Sequence, residues 1–126
     1  CIRDRIEIES MRRMVLTAAK AMDELGNEAA RVWVSAVKAM VPIRVCHIID
    51  EAIQFHGGTG VSQWTPLADM YTSQRTLRLA DGPDEVHWFV VGRAELRRWE
   101  TEGGVKYDPK VSYYSEDDDS VLTARI

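Results

Sequence analysis

Ile2-Arg3-Asp4-Arg5-Ile6-Glu7-Ile8-Glu9-Ser10-Met11-Arg12-Arg13-Met14-Val15-Leu16-Thr17-Ala18-Ala19-Lys20-Ala21-Met22-Asp23-Glu24-Leu25-Gly26 decides the fold class. Ile8, Met11, Met14, Val15, Ala18, Met22 and Leu25 recur at steps of three or four, with Arg12, Arg13, Lys20, Asp23 and Glu24 between them. That spacing predicts an amphipathic helix. Gly26 suits its C′ position and Asn27 the cap of the next helix, so the two helices must run antiparallel across a very short connection.

The second pattern passes through Trp33, Ala36, Val37, Met40, Ile43, Ile48, Ile49, Ala52 and Ile53. It spans about 28 residues, or about 42 Å at 1.5 Å per residue. Pro42 falls inside it, and the lost amide predicts a kink or short break near residues 39–42. Lys38, Arg44, Asp50 and Glu51 interrupt the stretch. It is therefore expected to be a core helix with no transmembrane segment. His56-Gly57-Gly58-Thr59-Gly60-Val61 must turn. Thr65-Pro66 then reads as cap and first residue of a short helix through about Arg75, and Gly82-Pro83 as the same pair for a last helix ending near Trp99. From Thr101 onward Gly103-Gly104, Pro109 and Glu116-Asp117-Asp118-Asp119 leave little to bury. The expected architecture is all-α: an antiparallel, up-and-down four-helix bundle over residues 1–100, followed by a flexible polar tail over 101–126.

With 126 residues there is material for one domain. Sixteen Lys and Arg against twenty Asp and Glu give a formal charge of −4, so no net positive field favours nucleic acid as a partner. The two cysteines, Cys1 and Cys46, are too few for a disulfide scaffold and point to a reducing compartment. The opening Cys1-Ile2-Arg3-Asp4 reads as a processed product or a fragment of a longer polypeptide.

Two segments carry candidate chemistry. The glycines at 57, 58 and 60 let main-chain N–H groups approach a phosphate, with Gln54 one turn earlier as an added amide donor; the same residues equally suit a loop that merely ends a helix. Asp81, just outside a helix start, is either a carboxylate projecting into a pocket or part of an acidic capping set with Asp84 and Glu85. His47 and Glu51 stand one turn apart but lack a third ligand, so no metal site is expected. His56 and His87 flank the two segments as supporting groups.

Taken together, Gln54-Phe55-His56-Gly57-Gly58-Thr59-Gly60-Val61, then Tyr71, Arg75, Arg78 and Asp81-Gly82-Pro83-Asp84-Glu85-Val86, resemble the C-terminal helical domain of the FAD-dependent acyl-CoA dehydrogenases over residues 5–99. The Ala80-Asp81-Gly82-Pro83-Asp84-Glu85-Val86-His87 version is most similar to the subgroup that handles longer or 4-hydroxylated acyl-CoA. The resemblance implies a helical bundle paired as a homodimer or homotetramer. Gln54, Phe55, His56, Gly57 and Gly58 would contact the FAD pyrophosphate of a neighbouring subunit. Asp81 would be the catalytic base, Gly82 would touch the acyl thioester, and Pro83, Asp84 and Glu85 would lie near the adenosine side of the flavin. In the family the base is usually glutamate, one methylene longer than Asp81, and a threonine usually stands where Pro83 is. The activity implied is α,β-dehydrogenation of an acyl-CoA, with electrons passed to an electron-transfer acceptor. Two alternatives remain: a non-catalytic helical dimerisation module on the same scaffold, and an acyl-CoA oxidase that passes electrons to oxygen. Ala124-Arg125-Ile126 loosely resembles the Ser-Lys-Leu peroxisomal address, leaving peroxisome and mitochondrion both open.

Overall fold

The computed structural model describes residues 2–102. Four helices follow one another, α1 (Ile2–Ala29), α2 (Arg31–His56), α3 (Leu67–Leu77) and α4 (Asp84–Glu102), with a 3₁₀ segment at Gly57–Val61 between α2 and α3. Among the described residues there is no strand, and the all-α class expected from periodicity is the one adopted. Most of the 101–126 tail, like Cys1, lies outside the described residues; Thr101 and Glu102 still belong to α4.

The turn at Gly26 is where the sequence places it. The residue sits at φ +80°, ψ 169°, so the long stretch labelled α1 is two helical pieces meeting at a left-handed glycine. The Ala30 amide donates back to the Gly26 carbonyl at 3.0 Å, which starts the next helix. Two ion pairs fix the direction of α1 against α2: Arg3 meets Glu51, and Glu7 meets Arg44 at 3.4 Å. As the first number rises the second falls, so the helices are antiparallel. α3 packs on the other side of α2 and returns along it, since the chain reverses at Gly57–Val61 and Lys38 reaches the Leu77 carbonyl.

Two expectations need correction. Pro42 does not break α2, which runs as one 26-residue helix, and the proline ring is buried. The missing amide removes a single bond, and flanking packing holds the helix through it. Nor does Thr65 cap α3. Its hydroxyl donates instead to the Thr59 and Gly60 carbonyls, each at 3.3 Å, and the helix begins at Leu67 behind an uncapped Pro66. α4 begins at Asp84, one residue beyond the predicted start at Pro83.

Small residues form most of the buried centre. Ala18 and Ala21 of α1, Ala30 before α2, and Ser35, Ala39, Pro42, Cys46 and Ile49 of α2 are buried, with Met11 the largest residue from α1. Alanine adds roughly 0.8 kcal/mol per buried carbon, so this interface brings backbones close without much hydrophobic gain. Ile8, Val15, Met22 and Leu25, expected on the core stripe, stay more than 40% exposed. Periodicity identifies an apolar face but not what covers it. By length and composition alone the segment Arg31–Val61 would pass as a membrane-crossing helix. Its apolar character has another use here, because α2 is the central helix and packs against both α1 and α3. Contacts divide the chain between Val91 and Gly92. Residues 92–102 continue α4, with Leu96 and Trp99 exposed.

Candidate active-site loop and phosphate-facing turn

α2 ends because Gly57 takes φ +55°, ψ −141°, which no side-chain-bearing residue adopts cheaply, while its amide still donates to the Gln54 carbonyl. The following turn folds tightly onto the helix it has left. A Cβ on buried Gly60 would lie 2.6 Å from the Ile53 carbonyl oxygen and 2.9 Å from the Ile53 Cα. Gly57 and Gly58 are the opposite case, since a Cβ on either meets nothing within 4 Å. Gln54, Phe55, His56, Gly57 and Gly58 are all exposed, Phe55 at 77%. His56 donates through Nδ1 to the Ala52 carbonyl at 2.8 Å, which leaves Nε2 outward. The Ser62 hydroxyl donates to the Thr59 carbonyl at 2.7 Å, so the inner side of the turn is tied by its own hydroxyls. A bare main chain facing open space, beside an outward imidazole and an amide, fits a phosphate-bearing group docking from outside.

The second segment connects α3 to α4. Asp81 has φ +55°, the one non-glycine residue in the left-handed region among those described, and Gly82 follows at φ +100°. Three anchors hold this turn. Lys38 of α2 donates from Nζ to the Leu77 carbonyl and, at 3.4 Å, to the Gly82 carbonyl. His87 Nε2 lies 3.2 Å from the Asp81 carbonyl. Arg78 Nε donates to Asp84 Oδ2 at 2.6 Å, and this bond raises the guanidinium above its ordinary pKa. Asp84 is only 5% exposed, so its carboxylate serves the turn rather than the surface, whereas Asp81, Pro83 and Glu85 are exposed. The two acids part company: Asp84 turns in and accepts from Arg78 rather than from a main-chain N–H, and Asp81 turns out.

The two segments lie apart on one chain. Gln54 is sixteen residues beyond Lys38 on the same helix, about 24 Å along the axis. His47 Nε2 is 3.8 Å from Glu51, whose carboxylate also takes the Arg3 ion pair. Burial pushes the Cys46 thiol up, which keeps it protonated at neutral pH and out of nucleophilic chemistry. Sequence reasoning missed Lys38. Its only signal was a charge interrupting an apolar helix, and nothing in that spacing says which carbonyls it will reach.

The family model for the acyl-CoA dehydrogenase C-terminal domain matches residues 2–96. This chain belongs to the acyl-CoA dehydrogenase family. Acyl-CoA dehydrogenase family member 11 of Rattus norvegicus is 53% identical over 95 residues, covering 75% of this chain and 12% of the relative. FadE2 of Mycobacterium tuberculosis, which carries the name of a probable acyl-CoA dehydrogenase, is 48% identical over 94 residues, 75% of this chain and 23% of its own. A solved structure of a candidate acyl-CoA dehydrogenase from Mycobacterium abscessus superposes with a TM-score of 0.76 at 46% identity, over 78% of this chain and 24% of that one. The chain thus spans less than a quarter of the length of each of these relatives. The acyl-CoA dehydrogenase C-terminal fold is the one described above, with its turns at Gly26, Gly57 to Gly60 and Asp81-Gly82.

Proposed function

We propose that this chain is the C-terminal part of a flavoenzyme that removes two hydrogens across the α,β bond of an acyl-CoA thioester. The observation that carries the reading is the exposed Asp81 carboxylate on a left-handed turn anchored by Lys38, His87 and the Arg78–Asp84 pair. The neighbouring acid Asp84 is turned inward onto Arg78, so the turn presents Asp81 alone of the two as an outward carboxylate. Asp81 takes the α-proton as a general base, a role worth about 10² to 10⁴ in rate. FAD, when bound, accepts the hydride that leaves the β-carbon. Gly82 presents its main chain to the thioester. Gln54, Phe55, His56, Gly57 and Gly58 receive the pyrophosphate of FAD held by a neighbouring subunit, a division of labour consistent with the distance between the two segments. Pro83 and Glu85 lie toward the adenosine side, with Asp84 contributing through the turn it holds.

The partners in this reading are an acyl-CoA, a second copy in a homodimer or homotetramer, and an electron-transfer acceptor. The Asp81-Gly82-Pro83-Asp84-Glu85-Val86-His87 run supports the subgroup acting on longer or 4-hydroxylated chains, in peroxisome or mitochondrion. Ala124-Arg125-Ile126 lies outside the described residues.

The exposed apolar faces, Phe89 at 66% and Leu96 at 67% among them, equally suit a non-catalytic dimerisation module. Expressed alone, the 126-residue chain is expected to self-associate through such faces and to bind no stoichiometric FAD. Light scattering and flavin absorbance check this, and a yellow monomer would contradict both halves. The two readings separate in the full-length polypeptide: reduction of bound flavin by an acyl-CoA supports the enzyme, and its absence in a flavin-loaded protein supports the module. Gly58→Val in that polypeptide is expected to lower the flavin-to-protein ratio while leaving the fold intact, since a Cβ there meets nothing within 4 Å. Unchanged flavin occupancy would mean that the turn only ends a helix.

A further inference from the structure

Asp81 holds a left-handed backbone conformation that aspartate tolerates better than most side-chain-bearing residues, so what decides the aim of its carboxylate is the contact that fixes the turn. Lys38 binds the Gly82 carbonyl and Arg78 binds Asp84, but the contact on Asp81 itself comes from His87, with Nε2 3.2 Å from the Asp81 carbonyl. A carbonyl only accepts, so Nε2 carries the hydrogen and Nδ1 is left as an acceptor. Nδ1 is buried and has no partner, so the ring gains its polar contact only through Nε2. Gly82 makes room for this arrangement: a Cβ there would stand 3.3 Å from Nε2 and 3.8 Å from Cδ2 of the ring.

We propose that His87 is the positioning residue for Asp81: its Nε2–H holds the Asp81 carbonyl, locks the left-handed turn, and so aims the carboxylate. The proposal rests on the reading of Asp81 as the base. Misplacing a reacting group by about 1 Å costs on the order of 10²-fold in rate, which sets the scale of the effect.

The test compares His87→Phe, which keeps a ring but loses the donor, with His87→Gln, whose amide places an N–H near the Nε2 position. Both are made in the full-length flavoprotein. Two quantities are read: hydrogen exchange of the peptide covering residues 79–87, and the rate of flavin reduction by an acyl-CoA under anaerobic conditions. In His87→Phe exchange should rise several-fold and reduction fall about 10²-fold, with KM and flavin content unchanged, and His87→Gln should recover most of both. Unchanged exchange in His87→Phe overturns the proposal, as does a His87→Gln variant that behaves like His87→Phe. Should His87→Phe fail to fold, exchange in His87→Gln decides alone: wild-type protection supports the anchor and lost protection overturns it. A parallel Asp81→Asn variant that still reduces flavin would defeat the base reading, and the exchange comparison would still decide whether His87 holds the turn.

Discussion

Asp81→Asn in the full-length flavoprotein is expected to keep FAD and acyl-CoA binding and to reduce flavin about 10² to 10⁴ times more slowly. Asparagine is the informative replacement for two reasons. It preserves size and polarity while removing basicity, and with aspartate it is among the few side-chain-bearing residues at ease in the left-handed region that position 81 occupies. Backbone geometry therefore stays constant while the chemistry changes. Stopped-flow reduction at saturating substrate measures the effect. A near wild-type rate would place the base elsewhere. Asp81→Glu supplies the acid more usual in the family. Restored or raised activity would mean that space for the longer side chain survives, and a large loss would mean that substrate sits closer to the Asp81 main chain.

Arg78→Met should cost about 1.5 to 3 kcal/mol of stability, because it leaves the buried Asp84 carboxylate without its partly exposed partner. Asp84 Oδ1 already lacks a hydrogen-bond partner, so the Arg78 bond is the compensation that the group has. Adding Asp84→Asn removes the stranded charge and should recover much of the loss. Denaturant unfolding of the single and double variants closes the cycle. Equal and additive losses would show that the pair is not coupled. The same stability loss should loosen the Asp81 turn, since Asp84 opens α4 immediately after it.

Helices α1 and α2 and their antiparallel turn were legible in the sequence because period and glycine punctuation are local signals. The partition of the acids was not. Asp81, Asp84 and Glu85 are similar in type and spacing, and only the arrival of Arg78 from the preceding turn, six residues back in the chain, selects Asp84 for burial. Lys38 was less legible still, because it acts across 39 residues on the Leu77 carbonyl, a group every residue carries. Pro42 misled for a related reason: the helix-breaking rule counts one lost bond, whereas the burial of its ring depends on neighbours from other elements. Thr65 had the right chemistry for a cap and used its hydroxyl on a nearer turn.

The contrast between Gly58 and Gly60 extends from geometry to cell biology. An inherited substitution at Gly60 forces a side chain into the Ile53 backbone, so its signature is missing protein, cleared by quality control before any assay of its chemistry. On the proposed function, a Cβ at Gly58 meets nothing within 4 Å, so a substitution there would let the polypeptide accumulate to normal abundance without its flavin. Two neighbouring alleles of the same amino acid would then need different remedies: a folding chaperone would help the first, whereas only raising the vitamin precursor of the flavin would help the second.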